Sequence, residues 1–207
     1  VTSSSSSTII PAADLQALTD QQSYTITANV SDAAGNAATQ VTSSSFSVDR
    51  TSPSINAIST TAMTWGALLN PVEDDSDGTV TVTTSGIEDG QTMTIALNGN
   101  NYTNTITTSQ SIVTIPAAAL QALTDGQSYT VTANASDVAG NAATQVTSSQ
   151  FTVDRTDPAI GAIGTGAFSW GALLNPSEDD SDGTVTVTTT GIEDAQVMTI
   201  ALNGKSY

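Results

Sequence analysis

Clustered carboxylates are the side chains of this chain best suited to chemistry. The acidic run EDDSDG at 73–78 returns unchanged at 178–183. Two carboxylates ~4 Å apart repel by about 1 kcal/mol in water and by about 4 kcal/mol at an effective dielectric constant of about 20. A hard dication with oxygen ligands converts that repulsion into cohesion, and Ca²⁺ accepts flexible sites made of oxygen alone. The runs therefore predict calcium sites, and solvated charged loops are the alternative.

Candidate calcium ligands lie in the acidic runs, in the Gly-Ile-Glu-Asp loops, in the Ser-Asp-x-Ala-Gly-Asn loops and in the linkers. In that order the predicted metal ligands are Glu73, Asp74, Asp75, Asp77, Glu178, Asp179, Asp180, Asp182, Glu88, Asp89, Glu193, Asp194, Asp32, Asn36, Asp137, Asn141, Asp49, Asp154 and Asp157. The aspartate and asparagine of each Ser-Asp loop can equally form an Asx turn that satisfies the loop backbone. Weak Mg²⁺ occupancy stays open beside Ca²⁺.

One acidic run resembles part of a known calcium loop. Glu73-x-Asp75-x-Asp77-Gly78 has the oxygen spacing of the first half of an EF-hand loop, with glutamate in first position. Position twelve would be Thr84, where an EF-hand has a bidentate glutamate, and no predicted helices flank the segment. The segment is therefore not an EF-hand.

Alternating apolar and polar residues predict the elements that hold these loops. The segments 79–83 (TVTVT), 93–97 (MTIAL) and 129–134 (YTVTAN) have the period of two expected of half-buried strands. Asn98-Gly99 and Asn203-Gly204 predict hairpin turns. The only predicted helix is short, with Pro116 in its first turn and residues 117–123 after it. Many short strands with one brief helix predict an all-β sandwich.

The sequence repeats itself. Trp65 recurs as Trp170, an offset of 170 − 65 = 105 residues, and the surrounding motifs recur at the same offset. The Phe-x-Val-Asp-Arg-Thr-x-Pro segments mark the boundaries. They divide the chain into the C-terminal half of a repeat (1–49), a complete repeat (50–154) and the N-terminal half of the next (155–207). Because the halves are nearly complementary, we expect that 155–207 of one chain can complete 1–49 of another.

Composition excludes several functions. The 20 acidic and 3 basic residues give a net charge of −17, which argues against binding nucleic acid or anionic lipid. No cysteine or histidine is present, which excludes Ser-His-Asp and Cys-His catalysis. The neighbouring carboxylates Glu88 and Asp89 lie on one loop and point apart, which disfavours glycoside hydrolysis. No apolar run approaches the ~18 residues of a membrane span. We predict a protein that is not an enzyme and does not insert into membranes.

The aromatic residues have structural and functional interpretations. Tyr24 and Tyr129 follow Thr-Asp-x-x-Ser and predict tyrosine corners, in which the hydroxyl bonds an upstream backbone group. Trp65 and Trp170 predict buried plugs at a domain end, with exposed sugar-stacking surfaces as the alternative. The threonines of 79–83 resemble an ice-binding ladder, but a solvent-facing strand is the simpler interpretation.

Sandwich topology places the acidic loops at opposite ends of each repeat. The acidic run and the last strand lie at the C-terminal end, whereas the Gly-Ile-Glu-Asp and Ser-Asp loops lie at the N-terminal end. End-to-end stacking is therefore expected to gather carboxylates of the 73–77 run and Asp154 near Asp157, Glu193 and Asp194.

Several motifs together resemble one family. They are Leu-Asn-Pro-x-Glu, Gly-Ile-Glu-Asp, Asn-Gly-x-x-Tyr, Ser-Asp-Val-Ala-Gly-Asn-Ala-Ala and Phe-Thr-Val-Asp. They resemble the bacterial Ig-like repeats of giant biofilm-associated and RTX adhesins. The resemblance implies tandem extracellular β-sandwiches, end to end on the bacterial cell surface, that carry a terminal adhesion domain outward, with calcium at their junctions. Family members often have acidic residues where this chain has Gly66-Ala67 and Gly171-Ala172, so a calcium site that used them is weakened here.

These observations give one leading hypothesis and two alternatives. The leading one is a calcium-stiffened extender segment of a secreted adhesin, whose partners are the neighbouring repeats of the same chain. The first alternative is a carbohydrate-binding module array of a secreted polysaccharide-degrading system. The second is a surface-layer lattice protein.

Overall fold

Short β-strands form most of the regular structure in the computed structural model, which describes residues 5–192 and 195–207. The chain divides into two units, Val1–Val153 and Asp154–Tyr207. The division into 1–49, 50–154 and 155–207 stays a prediction. No helix within the described residues combines the length and the apolar character needed to cross a bilayer.

The first part of the Val1–Val153 unit has one helix and four short strands. They are α1 (Ala12–Gln16), β1 (Ser23–Tyr24), β2 (Thr27–Ala28), β3 (Val41–Thr42) and β4 (Phe46–Ser47). The antiparallel pairs are β1 with β4 and β2 with β3.

The complete repeat follows in the same unit. Its elements are β5 (Ser54–Ile55), β6 (Leu68–Leu69), α2 (Pro71–Asp74), β7 (Gly78–Ser85), β8 (Thr92–Leu97), β9 (Asn100–Thr105), β10 (Gln110–Ile115), α3 (Ala117–Gln121), β11 (Ser128–Tyr129), β12 (Thr132–Asn134), β13 (Val146–Thr147) and β14 (Phe151–Val153). A 3₁₀ turn at Thr60–Ala62 precedes β6.

The repeat's strands form three sheets, with the orders β10-β7-β5, β13-β12-β8-β9 and β11-β14-β6. All pairs are antiparallel except β14 with β6, which is parallel. This mostly stranded architecture confirms the predicted all-β, Ig-like fold. The Gly-Ile-Glu-Asp loop connects β7 to β8, and the Ser-Asp-Val loop connects β12 to β13.

The core of the repeat follows the predicted alternation. On β7, Val80 and Val82 are completely buried, while the threonines between them are partly exposed. Phe151 is also completely buried and meets Trp65 edge-on at a centroid distance of 5.3 Å. The β8–β9 hairpin turns at Asn98 and Gly99, whose φ values of 47° and 79° are those of a left-handed turn.

The helix prediction is partly wrong. The helix after Pro116 ends at Gln121, two residues before the predicted end at Leu123. Two further helices, α1 and α2, are present beside the single predicted one, and α2 holds the start of the acidic run, where the sequence predicts a loop. Asn70 caps α2, because its Oδ1 accepts the N–H groups of Val72 and Glu73. In return, Glu73 Oε2 accepts the Asn70 N–H, which completes a capping box.

The Asp154–Tyr207 unit has four short strands. They are β15 (Ala159–Ile160), β16 (Thr189–Thr190), β17 (Ala201–Leu202) and β18 (Lys205–Ser206). The antiparallel pairs are β15 with β16 and β17 with β18. A 3₁₀ turn spans Thr165–Ala167, and the Asn203-Gly204 turn closes the second pair.

The same repeat position can be buried in one copy and exposed in another. Phe151 has no exposed surface, whereas Phe46, at the same position one repeat earlier, is 38% exposed. Leu69 has none, whereas Leu174, one repeat later, is 56% exposed. Residues 5–49 and 155–207 thus each present apolar side chains that the complete repeat encloses.

Candidate functional site

A junction between two repeats lies at residues 49–53, inside the Val1–Val153 unit. A cleft of about 360 Å³ at this place is lined by Gln21, Asp49, Thr51, Ser52, Pro53, Ser54, Ser85, Gly86 and Glu88. A Cβ on Gly86 would lie 3.6 Å from Pro53, so the linker passes close to the first loop of the complete repeat. The cleft joins the end of one repeat to the beginning of the next.

The Ser-Asp loop of the complete repeat reaches the linker through Asn141. The Asn141 Nδ2 group is 2.9 Å from Asp137 Oδ2, 3.3 Å from the Asp49 carbonyl oxygen and 3.5 Å from Asp49 Oδ1. One amide group therefore lies between two carboxylates and a backbone carbonyl. These are the oxygen types that calcium accepts.

Both Ser-Asp loops form Asx turns. Asp137 Oδ1 accepts the Asn141 N–H at 2.7 Å, and Asp32 Oδ1 accepts the N–H groups of Ala34 and Asn36 at 2.9 and 2.8 Å. The Asx-turn interpretation is confirmed by these hydrogen bonds. Whether the same residues also bind a metal stays a prediction.

Hydrogen bonding lowers the pKa of Asp137. Its side chain is only 4% exposed, and the resulting desolvation acts to raise the pKa. Hydrogen bonds from the Asn141 side chain and from the backbone N–H groups of Asn141, Gly140 and Ala139 stabilise the carboxylate and outweigh that effect. The pKa of Asp32 is lowered in the same way, with the Asn36 side chain as the largest cause.

We expect the stability of the complete repeat to fall in acid through Asp137. Because its folded pKa lies below the unfolded value of about 3.9, its contribution is fully present above that value and is lost as the pH falls through the folded pKa. Urea unfolding midpoints measured from about pH 6 to 2 should fall less steeply in Asp137→Asn than in the parent. Asp14→Asn, at an exposed residue of α1, is the charge control and should leave the slope unchanged. Identical slopes for Asp137→Asn and the parent would contradict the assignment.

The Gly-Ile-Glu-Asp loop of the complete repeat also lies at this end. Glu88 Oε2 accepts the Val138 N–H at 3.0 Å, and Asp89 Oδ1 accepts the Thr108 N–H at 2.6 Å. The structure thus brings together Asp49, Glu88 and the 137–141 loop.

The acidic run at 73–77 lies beside α3. Glu73 Oε2 accepts the N–H of Asn70, the N-cap of α2, at 3.1 Å, and Asp74 is buried with 4% exposure. Asp75 Oδ1 accepts the Gln121 side-chain N–H at 3.2 Å, and Asp77 Oδ1 accepts the Ala117 N–H at 2.9 Å. Asp75 and Asp77 therefore accept hydrogen bonds from α3. Asp77 in particular satisfies the first free N–H of α3.

The remaining predicted ligands belong to the Asp154–Tyr207 unit. Asp154 Oδ1 accepts the Thr156 N–H at 3.0 Å, and Glu178 Oε2 accepts the Asn175 N–H at 3.0 Å. Asp157, Asp179, Asp180 and Asp182 are exposed. Glu193 and Asp194 lie outside the described residues. The predicted meeting of these carboxylates with the 73–77 run stays a prediction.

The fit of this chain to calcium is incomplete. Across residues 5–192 and 195–207, no three Asp or Glu side chains gather in a way that could hold a metal ion. At the 49–53 junction the carboxylates beside the Asn141 amide are those of Asp49 and Asp137, and Glu88 lines the adjacent cleft. The other oxygen ligands would be the Asn141 amide and the Asp49 carbonyl.

Sequence reasoning missed two residues of this junction, Asp20 and Arg50. Asp20 Oδ1 accepts the Arg50 N–H at 2.7 Å, and the Arg50 guanidinium donates to the Leu18 carbonyl at 2.6 Å and the Leu15 carbonyl at 2.9 Å. A signal was available, because Arg50 is one of only 3 basic residues in the chain and recurs as Arg155 in the same motif.

The aromatic predictions have mixed outcomes. The tyrosine corners are confirmed, since Tyr24 and Tyr129 accept the N–H groups of Thr19 and Thr124 at 2.8 and 2.9 Å. Trp65 is a buried plug with 3% exposure, whereas Trp170 is half-buried and stacks on Phe168.

The family follows from sequence comparison. A sequence model of the bacterial Ig-like domain (group 3) matches residues 14–154 and again residues 117–206. The chain belongs to the bacterial Ig-like domain family. A search of curated proteins finds no match.

Solved structures similar to this Ig-like chain come from bacterial adhesins. A 1.5-MDa ice-binding adhesin, studied for host cell surface retention, is 29% identical over 65% of this chain and 42% of that one, with a TM-score of 0.37. An Ig-like domain of the M. primoryensis ice-binding adhesin is 30% identical over 49% of this chain and 95% of that one, with a TM-score of 0.35. A Ca²⁺-stabilised adhesin of an ice-binding Antarctic bacterium is 28% identical over 89% of this chain and 45% of that one, with a TM-score of 0.40. The chain thus spans less than half of two of these structures, and the family assignment rests on the sequence model.

Proposed function

We propose that this Ig-like chain is a non-catalytic extender segment of a secreted bacterial surface adhesin, which holds a terminal adhesion domain away from the cell. The observation that carries the proposal is the 49–53 junction, where hydrogen bonds from both repeats hold the linker. A short, bonded linker transmits direction from repeat to repeat, as a rod requires. Its location would be extracellular, at the cell surface.

The distribution of charge supports an end-to-end role. Residues 90–124, which include β8, β9 and β10, contain no charged side chain. The acidic residues of the complete repeat lie instead in the 73–77 run, in the 88–89 pair, at Asp125, in the 137–141 loop and at Asp154. On this proposal, the charged segments would serve the contacts between one repeat and the next, and the uncharged segment 90–124 would form the sides of the repeat.

We propose further that calcium stiffens these junctions. At 49–53 the supporting feature is the Asn141 amide between the carboxylates of Asp49 and Asp137. The N–H donors of this amide occupy a place that a cation would fill. When bound, the metal would neutralise the two carboxylates and bind the facing loops to each other. Asp49, Asp137 and Asn141 are the residues that would hold it.

Removal of calcium tests the extender and its stiffening. At calcium tenfold above the dissociation constant, one site adds about 1.4 kcal/mol of stability. We therefore expect EGTA to lower the melting temperature and to shorten the maximum dimension in small-angle scattering. The double variant Asp49→Asn/Asp137→Asn should have a smaller response than the parent, and Asp14→Asn should respond fully. Identical melting and scattering in calcium and in EGTA would refute the calcium role.

The carbohydrate-binding alternative has one observation in its favour. Trp170 and Tyr207 line a cleft of about 490 Å³ in the Asp154–Tyr207 unit, and paired aromatic rings suit sugar stacking. The equivalent Trp65 is buried against Phe151 in the complete repeat, however, and offers no such surface. Glycan binding by the chain that is lost in Trp170→Ala would favour this alternative over the extender.

A further inference from the structure

The first half of the linker is bound to the preceding repeat by a group of hydrogen bonds here named the linker anchor (Asp20, Arg50 and Thr51). Asp20 Oδ1 accepts the Arg50 N–H at 2.7 Å and the Gln21 N–H at 3.0 Å. Asp20 Oδ2 accepts the Thr51 hydroxyl at 2.9 Å. One carboxylate thus organises two consecutive linker residues.

The Arg50 side chain extends the linker anchor to α1. Its Nη1 and Nη2 atoms donate to the carbonyl oxygens of Leu18 and Leu15, which lie just after and within the last turn of that helix. The last carbonyls of a helix have no partner inside it, and the helix dipole places partial negative charge there. The Arg50 guanidinium supplies donors for these carbonyls and positive charge at the helix end, because its planar fork donates to two acceptors at once.

The next repeat contacts the linker less extensively. Its Asn141 side chain donates to the carbonyl and carboxylate oxygens of Asp49, and the lengths of 3.3 and 3.5 Å are at the long end for such bonds. Beyond Thr51, Ser52 is exposed, whereas Pro53 is buried beside Gly86 just before β5 begins. The first half of the linker is therefore held by hydrogen bonds to the preceding repeat, and the second half by the packing of Pro53 beside Gly86.

We infer that Arg50 is a positioning residue of the junction, which fixes the direction of the linker without metal by joining it to the end of α1. The inference rests on the extender function proposed above, and it divides the junction into two parts. The linker anchor fixes the first part at all calcium concentrations. The contact of Asp49 with Asn141 and Asp137 is the second part, to which the proposed calcium would contribute.

Spin-label distances test the inference directly. The chain has no cysteine, so Thr39→Cys and Asn100→Cys place one label on each side of the junction, both at exposed positions. We expect Arg50→Gln to broaden the distance distribution in EGTA, where the metal makes no contribution. Arg50→Lys should broaden it similarly, because an ammonium keeps the charge but lacks the fork. Asp20→Asn should also broaden it.

A second label pair separates positioning from folding. Asp14→Cys and Thr39→Cys lie on the same side of the junction. Because the linker anchor sets only the linker direction, we expect the distance distribution of this pair to stay narrow in Arg50→Gln. Equal broadening of the distance distributions of both pairs would overturn the inference. An unchanged distribution across the junction in Arg50→Gln would also overturn it. Failure of the calcium proposal appears separately, as equal distributions in calcium and EGTA for the chain with Arg50 intact.

Discussion

Truncation of Phe151 to alanine is expected to destabilise the complete repeat by about 3–5 kcal/mol. The ring has no exposed surface and contacts both Trp65 and Tyr129, at centroid distances of 5.3 and 6.0 Å. The substitution removes the transfer free energy of the ring and leaves a cavity that the β11-β14-β6 sheet cannot fully close. A loss of this size is a large part of the stability of a small domain.

The repeat supplies a matched control for this prediction. Phe46→Ala is the same substitution at the same repeat position, but Phe46 is 38% exposed. We expect a smaller cost there, because less transfer free energy is lost and no enclosed cavity forms. Urea unfolding followed by far-UV circular dichroism measures both losses. In a Trp170→Phe background Trp65 is the single indole, so its fluorescence assigns the Phe151→Ala loss to the complete repeat. Equal losses for Phe46→Ala and Phe151→Ala would mean that the two copies have the same packing.

Local sequence correctly predicted the strands and turns that are determined by neighbouring residues. The alternation at 79–83 placed Val80 and Val82 in the core, and the Asn-Gly pairs placed the hairpin turns. Each tyrosine corner depends on residues five positions apart. In such cases the physical reason for the structure lies within a few residues of chain.

The missed helix α2 also had a local signal. Asn70, Pro71 and Glu73 are an N-cap, a first-turn proline and a capping-box glutamate. The high charge of the following residues led to the loop prediction. A high density of charge indicates only that a segment is exposed to solvent. The capping residues, in contrast, indicate that its backbone is helical.

Burial and the junction could not be predicted locally. Phe46 and Phe151 lie in nearly identical local sequence, yet they differ in exposure because burial depends on strands distant in the chain. Arg50 donates to carbonyls 32 and 35 residues away. Nothing in the spacing of a lone arginine specifies those acceptors, which only folding brings to it.

The exposed apolar faces lead to the second large effect, self-association of the 207-residue chain. In residues 5–49, Ile10, Leu15, Ile26 and Phe46 are 38–50% exposed, while their counterparts Ile115, Leu120, Val131 and Phe151 have no exposed surface. In residues 155–207, the side chains of Ile160, Ile163, Leu174, Met198 and Leu202 are 40–63% exposed, while their counterparts Ile55, Ile58, Leu69, Met93 and Leu97 are buried. Each face lacks the partner that the other supplies.

We propose that 155–207 of one chain completes 1–49 of a second, as strands 54–105 complete the core of the full repeat. Burial of each large apolar side chain contributes about 1.5–3 kcal/mol when complete, and less from a half-exposed start. Association costs about 4–15 kcal/mol. The nine side chains of the two faces together contribute a free energy of the size needed to offset that cost.

Sedimentation velocity over a range of concentrations should reveal a mass that increases beyond the dimer, because a head-to-tail contact leaves one face free at each end. Phe46→Asp should abolish the increase, since it would bury an unpaired carboxylate in the completed core. Ile112→Asp is the matched control, because Ile112 is 49% exposed on β10 and belongs to neither face. A mass that stays monomeric at all concentrations, or one that grows equally in Phe46→Asp, would show that the two faces do not recognise each other.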